Sequence, residues 1–304
     1  MIVLESLFPI FLLLLFGAYL KHRGLTDAVF LATADKLIYY FFFPVMLFWK
    51  IGGATFQDGI DWNFCIAALS TIAAMFVLST AAIILFRITA FQSGSFSQSC
   101  YRFNTYIGVA VILNSLGTEG MKHFGVLIGL AIPLINIFAV SILIWFSGRD
   151  LTVRRRMTFL IMALIGNPLI LACLAGIIYS RLFGHFPVFI DNALRLVSMA
   201  ALPLALISIG GTLTFAGIRE HYRVALLGSI IKLAVQPIAG YGFLLLFGVE
   251  GIAFRVAMIF FALPASTAIY VLSSQMNSDT NLASSAIVLS TVLSFVSLSI
   301  VLSL

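Results

Sequence analysis

Ten stretches of the chain run apolar for roughly 17–25 residues with few charges inside them. They fall at about 4–20, 37–54, 63–86, 101–117, 124–146, 157–179, 196–215, 223–247, 252–274 and 282–303. A bilayer-spanning helix needs about 20 apolar residues, whereas an outer-membrane strand shows alternation over roughly 10. The pattern therefore predicts an all-α polytopic membrane protein with ten transmembrane helices. The connections are short, so no soluble domain is inserted. The longest polar gap, "RITAFQSGSFSQSC" at 87–100, reads as a loop with an interfacial turn. Glu5, in place of a basic n-region, argues for a retained first helix rather than a cleaved signal peptide.

The pattern repeats. "FPIFLLLLFGAYLKHRG" from residue 8 is similar to "NPLILACLAGIIYSRLF" from residue 167, and "ADKLIYYFFFPVMLFWKIGG" from 34 is similar to "ALRLVSMAALPLALISIGGT" from 193. One offset pairs Pro9 with Pro168, Gly17 with Gly176, Lys36 with Arg195, Pro44 with Pro203 and Gly52 with Gly211. Leucines match by chance; paired prolines and glycines at a single offset do so far less easily. The halves are thus 1–152 and 153–304, five helices each. An odd number of spans makes the second half enter the membrane from the opposite side. That is an inverted repeat, the arrangement of many secondary transporters.

Two equivalent segments break the apolar rule. "RFNTYIGVAVILNSLG" (102–117) corresponds to "FFALPASTAIYVLSSQ" (260–275). Pro264 removes a backbone hydrogen bond in mid-segment, and Ala265, Ser266 and Thr267 follow it. Asn104, Thr105 and Gly108 interrupt the partner segment. Helices four and nine are therefore expected to be broken. Amides at half-helix N-termini favour an anion, and Asn104 adds a directional donor. Taken singly, Pro264 also reads as a tolerated kink and Asn104 as a helix-end residue.

Lys232, in "GSIIKLAVQPIAG", lies inside the eighth apolar stretch with Gln236 one turn on. An intramembrane lysine costs about 2.5–3.5 kcal/mol on insertion scales. Two readings fit it: a cavity-lining charge that attracts the anion, or a side chain snorkelling toward Arg223 and the cytoplasmic surface. Asn136, near Pro133 in the fifth stretch, either supports the neighbouring break or makes an ordinary interhelical hydrogen bond.

Composition sharpens the picture. The chain of 304 residues is 62% hydrophobic and only 9% charged, against about 25% charged in soluble domains. The net charge of +6 does not point to nucleic acid, because the basic residues sit mostly between apolar runs. Lys21, Arg23, Lys36, Arg87, Arg102, Arg149, Arg154, Arg155, Arg156, Arg219 and Arg223 fall on one side; Lys50, Lys122, Arg181, Arg195 and Arg255 fall on the other. The richer side is cytoplasmic by the positive-inside rule, which puts both termini outside. The eleven acids lie in loops or at helix ends, which disfavours a sodium–proton antiporter built on intramembrane carboxylates. Cys65, Cys100 and Cys173 lack metal-ligand spacing. No nucleotide-binding loop and no buried acid–base set suggests an enzyme, and no cofactor is expected.

The segments "FNTYIGVAVILNSLG", "LPLALISIGGTL", "IIKLAVQP" and "FFALPASTAIYVLSSQM" together resemble the auxin efflux carrier family in its short bacterial branch, across essentially the whole chain. The resemblance implies two inverted five-helix repeats with crossed, broken helices four and nine. It implies a scaffold of helices 1, 2, 6 and 7, a moving transport domain from helices 3–5 and 8–10, and dimerisation through the scaffold. Asn104 matches the asparagine that contacts substrate at the crossover, and Pro264 the crossover proline. The fourth helix reads "GVAVIL" where plant members have a proline. Only "GRDLTVRRRM" stands where many of them carry a long hydrophilic loop. Auxin is therefore not implied; bacterial relatives are associated with small organic anions such as malonate.

The sequence thus predicts a secondary transporter of a small organic carboxylate, embedded in membrane lipid and working by an elevator-type movement. Its expected substrate site is Asn104, Thr105, Gly108, Asn136, Pro264, Ala265, Ser266, Thr267, Lys232 and Gln236. Gly52, Gly53, Gly210 and Gly211 are expected to serve close helix packing. Two rivals remain: a sodium-coupled symporter of the bile-acid type, and a membrane sensor that binds its ligand without moving it.

Overall fold

A computed structural model describes residues 2–53, 60–146, 158, 162, 166–213 and 218–304. Among the described residues the chain is helical, with no strand. Seven helical stretches are long and apolar enough to cross a bilayer: 5–22, 28–52, 62–85, 90–146, 188–212, 219–246 and 280–303. Two shorter apolar helices cover 168–183 and 251–262. The chain is a multi-pass membrane protein.

The helices are α1 (Ile2–His22), α2 (Ala28–Leu37), α3 (Phe43–Gly52), α4 (Trp62–Leu85), α5 (Ala90–Tyr101), α6 (Thr105–Phe146) and α7 (Pro168–Phe183). They continue as α8 (Val188–Thr212), α9 (Ile218–Ile230), α10 (Gln236–Leu246), α11 (Gly251–Ala262), α12 (Ala268–Gln275) and α13 (Thr280–Ser303). A wide π turn at Ile38–Phe42 joins α2 to α3, and another at Ile231–Val235 joins α9 to α10. Each stands directly before a helix with proline in its first turn, Pro44 or Pro237. A proline lacks the N–H and crowds the carbonyl four residues back, and widening that turn accommodates it. Caps mark the starts. Asp27 accepts from Phe30 N, Asn167 from Leu169 N and Ile170 N ahead of Pro168, and Asp279 from Asn281 N and Leu282 N.

Several boundaries depart from the sequence expectation. Residues 90–101, expected as loop, form α5, and Ser93–Tyr101 are buried throughout. Its polar side chains find acceptors nearby: Ser99 Oγ donates to Phe96 O at 2.7 Å, Gln98 Nε2 to Gly94 O at 3.0 Å and Ser95 Oγ to Asp279 O at 2.7 Å. A helix that looks polar by composition is therefore satisfied in the interior. The fourth and fifth stretches follow each other within α6 as two helices separated at Gly117, whose backbone (φ 61°, ψ −149°) is not helical, as the two apolar runs led one to expect. The second stretch begins at Ala28, so Asp35 lies inside a span rather than at its end. There it accepts a hydrogen bond from Ser208 Oγ of α8. "GRDLTVRRRM" and the start of the sixth stretch fall largely outside the described residues.

The chain forms two compact units, and neither is one half of the sequence. Unit 1 comprises Met1–Trp62, Tyr106–Leu130 and Ile165–Leu213. At its centre α1 and α8 touch backbone to backbone. A Cβ on Gly17 would stand 2.1 Å from Ile207 O, and one on Gly210 only 1.9 Å from Leu14 O. Only glycine permits such an approach. Gly52 and Gly211 also pack within this unit, on Phe186 and Leu31, which fits a plain packing role. Trp49 Nε1 donates to Asp191 Oδ1 at 2.7 Å, tying α3 to α8.

Unit 2 comprises Asn63–Thr105, Ala131–Leu164 and Thr214–Leu304. Its core is α5, held by α4 through Ser79 and Ser97 (2.8 Å) and by Ser95, which bonds Ser273 at 2.8 Å and Ser278 at 3.1 Å. Gly228 of α9 faces Ser99 and Phe96 of α5 closely enough that a Cβ would meet Ser99 Oγ at 2.5 Å.

Candidate functional site

Unit 2 contains both helix interruptions. The first is Arg102–Phe103–Asn104, between α5 and α6; the second is Leu263–Thr267, between α11 and α12. They touch: the Asn104 N–H donates to Pro264 O at 2.9 Å. α6 starts at Thr105 and α12 at Ala268, each directly downstream of its break.

Interrupting a helix frees carbonyls on one side and amides on the other, and the fate of most of these groups can be followed. At the end of α11, Phe260 O accepts from Leu263 N (3.4 Å), Phe261 O from Lys232 Nζ (3.0 Å) and Ala262 O from Ser297 Oγ (2.9 Å). Within the break, Ala265 N donates to Ser290 Oγ at 3.1 Å. At the start of α12, Ala268 N donates to Ser266 Oγ (3.3 Å), Ile269 N to Ser266 O and Tyr270 N to Thr267 O (both 3.2 Å). At the end of α5, Gln98 O accepts from Arg102 N at 2.9 Å.

Charge accompanies these ends. Arg102 is buried, and its guanidinium donates to Gln98 Oε1 at 3.2 Å and Asn136 Oδ1 at 3.1 Å. It is not the exposed cytoplasmic flank that its place in the charge count suggests. Lys232 is 0% exposed, which overturns the snorkelling alternative: its ammonium ends on a carbonyl inside unit 2. Each half-helix end, negative by its dipole, thus has a buried cation beside it, Arg102 at α5 and Lys232 at α11.

The expected site residues divide accordingly. Asn104 and Pro264 meet directly; Asn136 supports the first break through Arg102; Lys232 supports the second through Phe261 O. Ser266 and Thr267 lie within the second interruption and stay partly accessible, as does Thr105 at the start of α6. Ala265 is fully buried. Gly108 does not interrupt anything: it lies one turn inside regular helix, because the unwinding occurs upstream at Arg102–Asn104. Gln236 is 0% exposed, and neither of its amide atoms has a hydrogen-bond partner. Sequence reasoning missed Arg102, Gln98, Ser290 and Ser297; the signal for Arg102 was its position two residues before Asn104.

No group of three or more His, Cys, Asp or Glu side chains suited to a metal occurs among the described residues. The chemistry on offer is recognition: half-helix amides, hydroxyls and two buried cations.

The profile of the membrane transport protein family matches residues 2–302. An uncharacterized transporter of Methanothermobacter thermautotrophicus is 25% identical over 299 residues, covering 97% of this chain and 95% of its own. A second uncharacterized transporter, from Methanocaldococcus jannaschii, is 21% identical over 306 residues, covering 97% and 96%. Broken helices and a family match over residues 2–302 lead to one conclusion: the chain belongs to the membrane transport protein family, that of the auxin efflux carriers.

Proposed function

We propose that this protein is a secondary transporter that carries a small organic anion, a mono- or dicarboxylate, across the cell membrane by an elevator-type alternating-access movement. The observation that carries the reading is the 2.9 Å bond from Asn104 N to Pro264 O, which joins the two helix interruptions inside unit 2. The carboxylate binds where half-helices begin, at Asn104, Thr105, Ser266 and Thr267. Lys232 and Arg102 supply positive potential from behind.

In this reading the ten spans form two inverted repeats, 1–152 and 153–304, whose fourth and ninth members cross at the breaks. Unit 2 is the moving part and unit 1 the scaffold, through which two copies pair. The division of the chain into units agrees with this for α1–α3, α7 and α8 against α4, α5 and α9–α13, but it groups residues 106–130 of α6 with unit 1. Both termini face outward.

A thermal-shift screen of the purified protein against mono- and dicarboxylates tests the binding step, because a ligand that binds the folded state raises its melting temperature. The active anion should bind Asn104→Ala about 10–100-fold more weakly, the worth of a hydrogen bond to a charged group. Equal affinity in mutant and wild type removes Asn104 from the site. Counterflow of the same radiolabelled anion in proteoliposomes separates a carrier from a sensor: binding with no movement of label sinks transport.

A further inference from the structure

We propose that Asp35 is a proton-binding site that controls anion binding: the protein takes up one proton on Asp35 together with each anion it binds. The inference rests on the carrier reading for its anion and adds a carboxylate that the expected site did not include.

Asp35 lies inside the span Ala28–Gly52, ~10 Å along the helix from its start. A carboxylate within a span is expensive and normally pairs with a cation. This one does not. Lys36 is its neighbour in sequence, but adjacent residues on a helix point apart. Among the described residues no basic group makes an ion pair with Asp35. What holds it is a hydroxyl: Ser208 Oγ of α8 donates to its Oδ1, which leaves Oδ2 for a proton. Asp35 is exposed on the protein, so protons reach it.

The groups around it are few. α2 packs on α8 and on the π turn. The π turn contributes Tyr39 and Tyr40. α8 contributes Ser208; its charged residues Asp191 and Arg195 stand more than about three turns away along the helix. α6 contributes Tyr106, which lies in electrostatic range of both Asp35 and Tyr39 and meets the ring of Phe43 edge-on at 4.4 Å.

Tyr106 connects this carboxylate to the chemistry of the first break. It is the second residue of α6 and follows Thr105, so Asp35 acts on the same half-helix N-terminus that the anion uses. That positive end favours a negative charge. An ionised Asp35 supplies one from within the protein and repels a second. Protonated, it yields the start of α6 to the anion. The proton comes from solvent onto Oδ2 and returns to solvent when the anion leaves. Affinity is therefore highest at low pH and falls as pH rises through the titration of Asp35.

The test uses malonate, succinate, acetate and benzoate as probes. Calorimetry of the purified protein in two buffers of different ionisation enthalpy counts the protons taken up per anion bound. Wild type should take up as many as one, and its affinity should fall by up to about tenfold per pH unit. Asp35→Asn keeps an acceptor for Ser208 but carries no charge. It should take up no proton and keep, at high pH, the affinity that wild type shows only at low pH. Ser208→Ala removes a donor to the carboxylate and should displace the pH profile, which a purely structural contact would not do. Ionisation of the probes themselves is common to all three proteins. Equal proton uptake or equal pH dependence in wild type and Asp35→Asn overturns the proposal and leaves the carrier reading intact. If Asp35→Asn cannot be recovered folded, an unmoved profile in Ser208→Ala overturns it instead. Binding of none of the four anions by wild type sinks the carrier reading, and the proton site with it.

Discussion

Arg102 teaches most at the level of single residues. By charge alone it reads as one more basic flank, yet it is buried against Gln98 and Asn136. Charge counting weighs identity and position in the chain; it does not see that the helix before Arg102 unwinds for three residues and turns the side chain inward. Removing the acceptor by Asn136→Ala should destabilise the fold by about 1–3 kcal/mol, the cost of stranding a buried donor. Asn136→Asp, which keeps an acceptor, should recover most of that; melting of the two variants decides. Ser297→Ala and Ser290→Ala each delete one neutral bond to the second break and should cost less, about 0.6–1.7 kcal/mol. Pro264 and Asn104 were legible because a mid-span proline and asparagine are chemically conspicuous. Ser290 and Ser297 were not, since a serine in a membrane helix usually bonds its own backbone, and nothing local marks the ones that reach across.

Elements were read well where lipid dictates composition and poorly where protein does. α4, α8 and α13 carry the apolar runs that a bilayer requires. α5 is enclosed by protein, so its needs are small volume and internal hydrogen bonding, and serine and glycine meet both. The same logic predicts how α5 fails. Ser95→Leu should be far more damaging than a gain in hydrophobicity suggests, because Ser95 bonds Ser273, Ser278 and Asp279 O. The expected result is loss of monodisperse protein in size-exclusion chromatography, with Ser95→Ala milder. At the crossing of α1 and α8, Gly210→Leu should destabilise by about 3 kcal/mol or more, seen as a lowered melting temperature. Gly129, whose nearest neighbour is Cys173 Cβ at an ordinary 3.8 Å, should accept alanine with little change.

For the whole molecule, the sequence repeat and the compact units divide the chain differently. The repeat is written in order along the chain and can be found by sliding one half over the other. The units are assembled from three segments each, and their boundaries fall inside α6 and at the edge of α4. No linker or change of composition marks them, because each unit presents the same apolar exterior to lipid. The proposed inverted arrangement, with both termini outside, predicts an outcome for topology. A cysteine introduced at Ser303 should react with an impermeant maleimide added outside intact cells. One introduced at Arg155, on the strongly basic connection, should react only after permeabilisation. Native Cys65, Cys100 and Cys173 are buried and should contribute little background. Labelling of Arg155→Cys from outside reverses the orientation.

The contact between α1 and α8 also constrains how the chain can change over time. Where two side chains meet, a larger one on one helix can be relieved by a smaller one opposite. Gly17 faces Ile207 O and Gly210 faces Leu14 O, and a carbonyl oxygen cannot be trimmed. Second-site revertants of a bulky residue at either glycine should therefore not map to the facing position. They should scatter along both helices, at places that let one whole rod shift against the other.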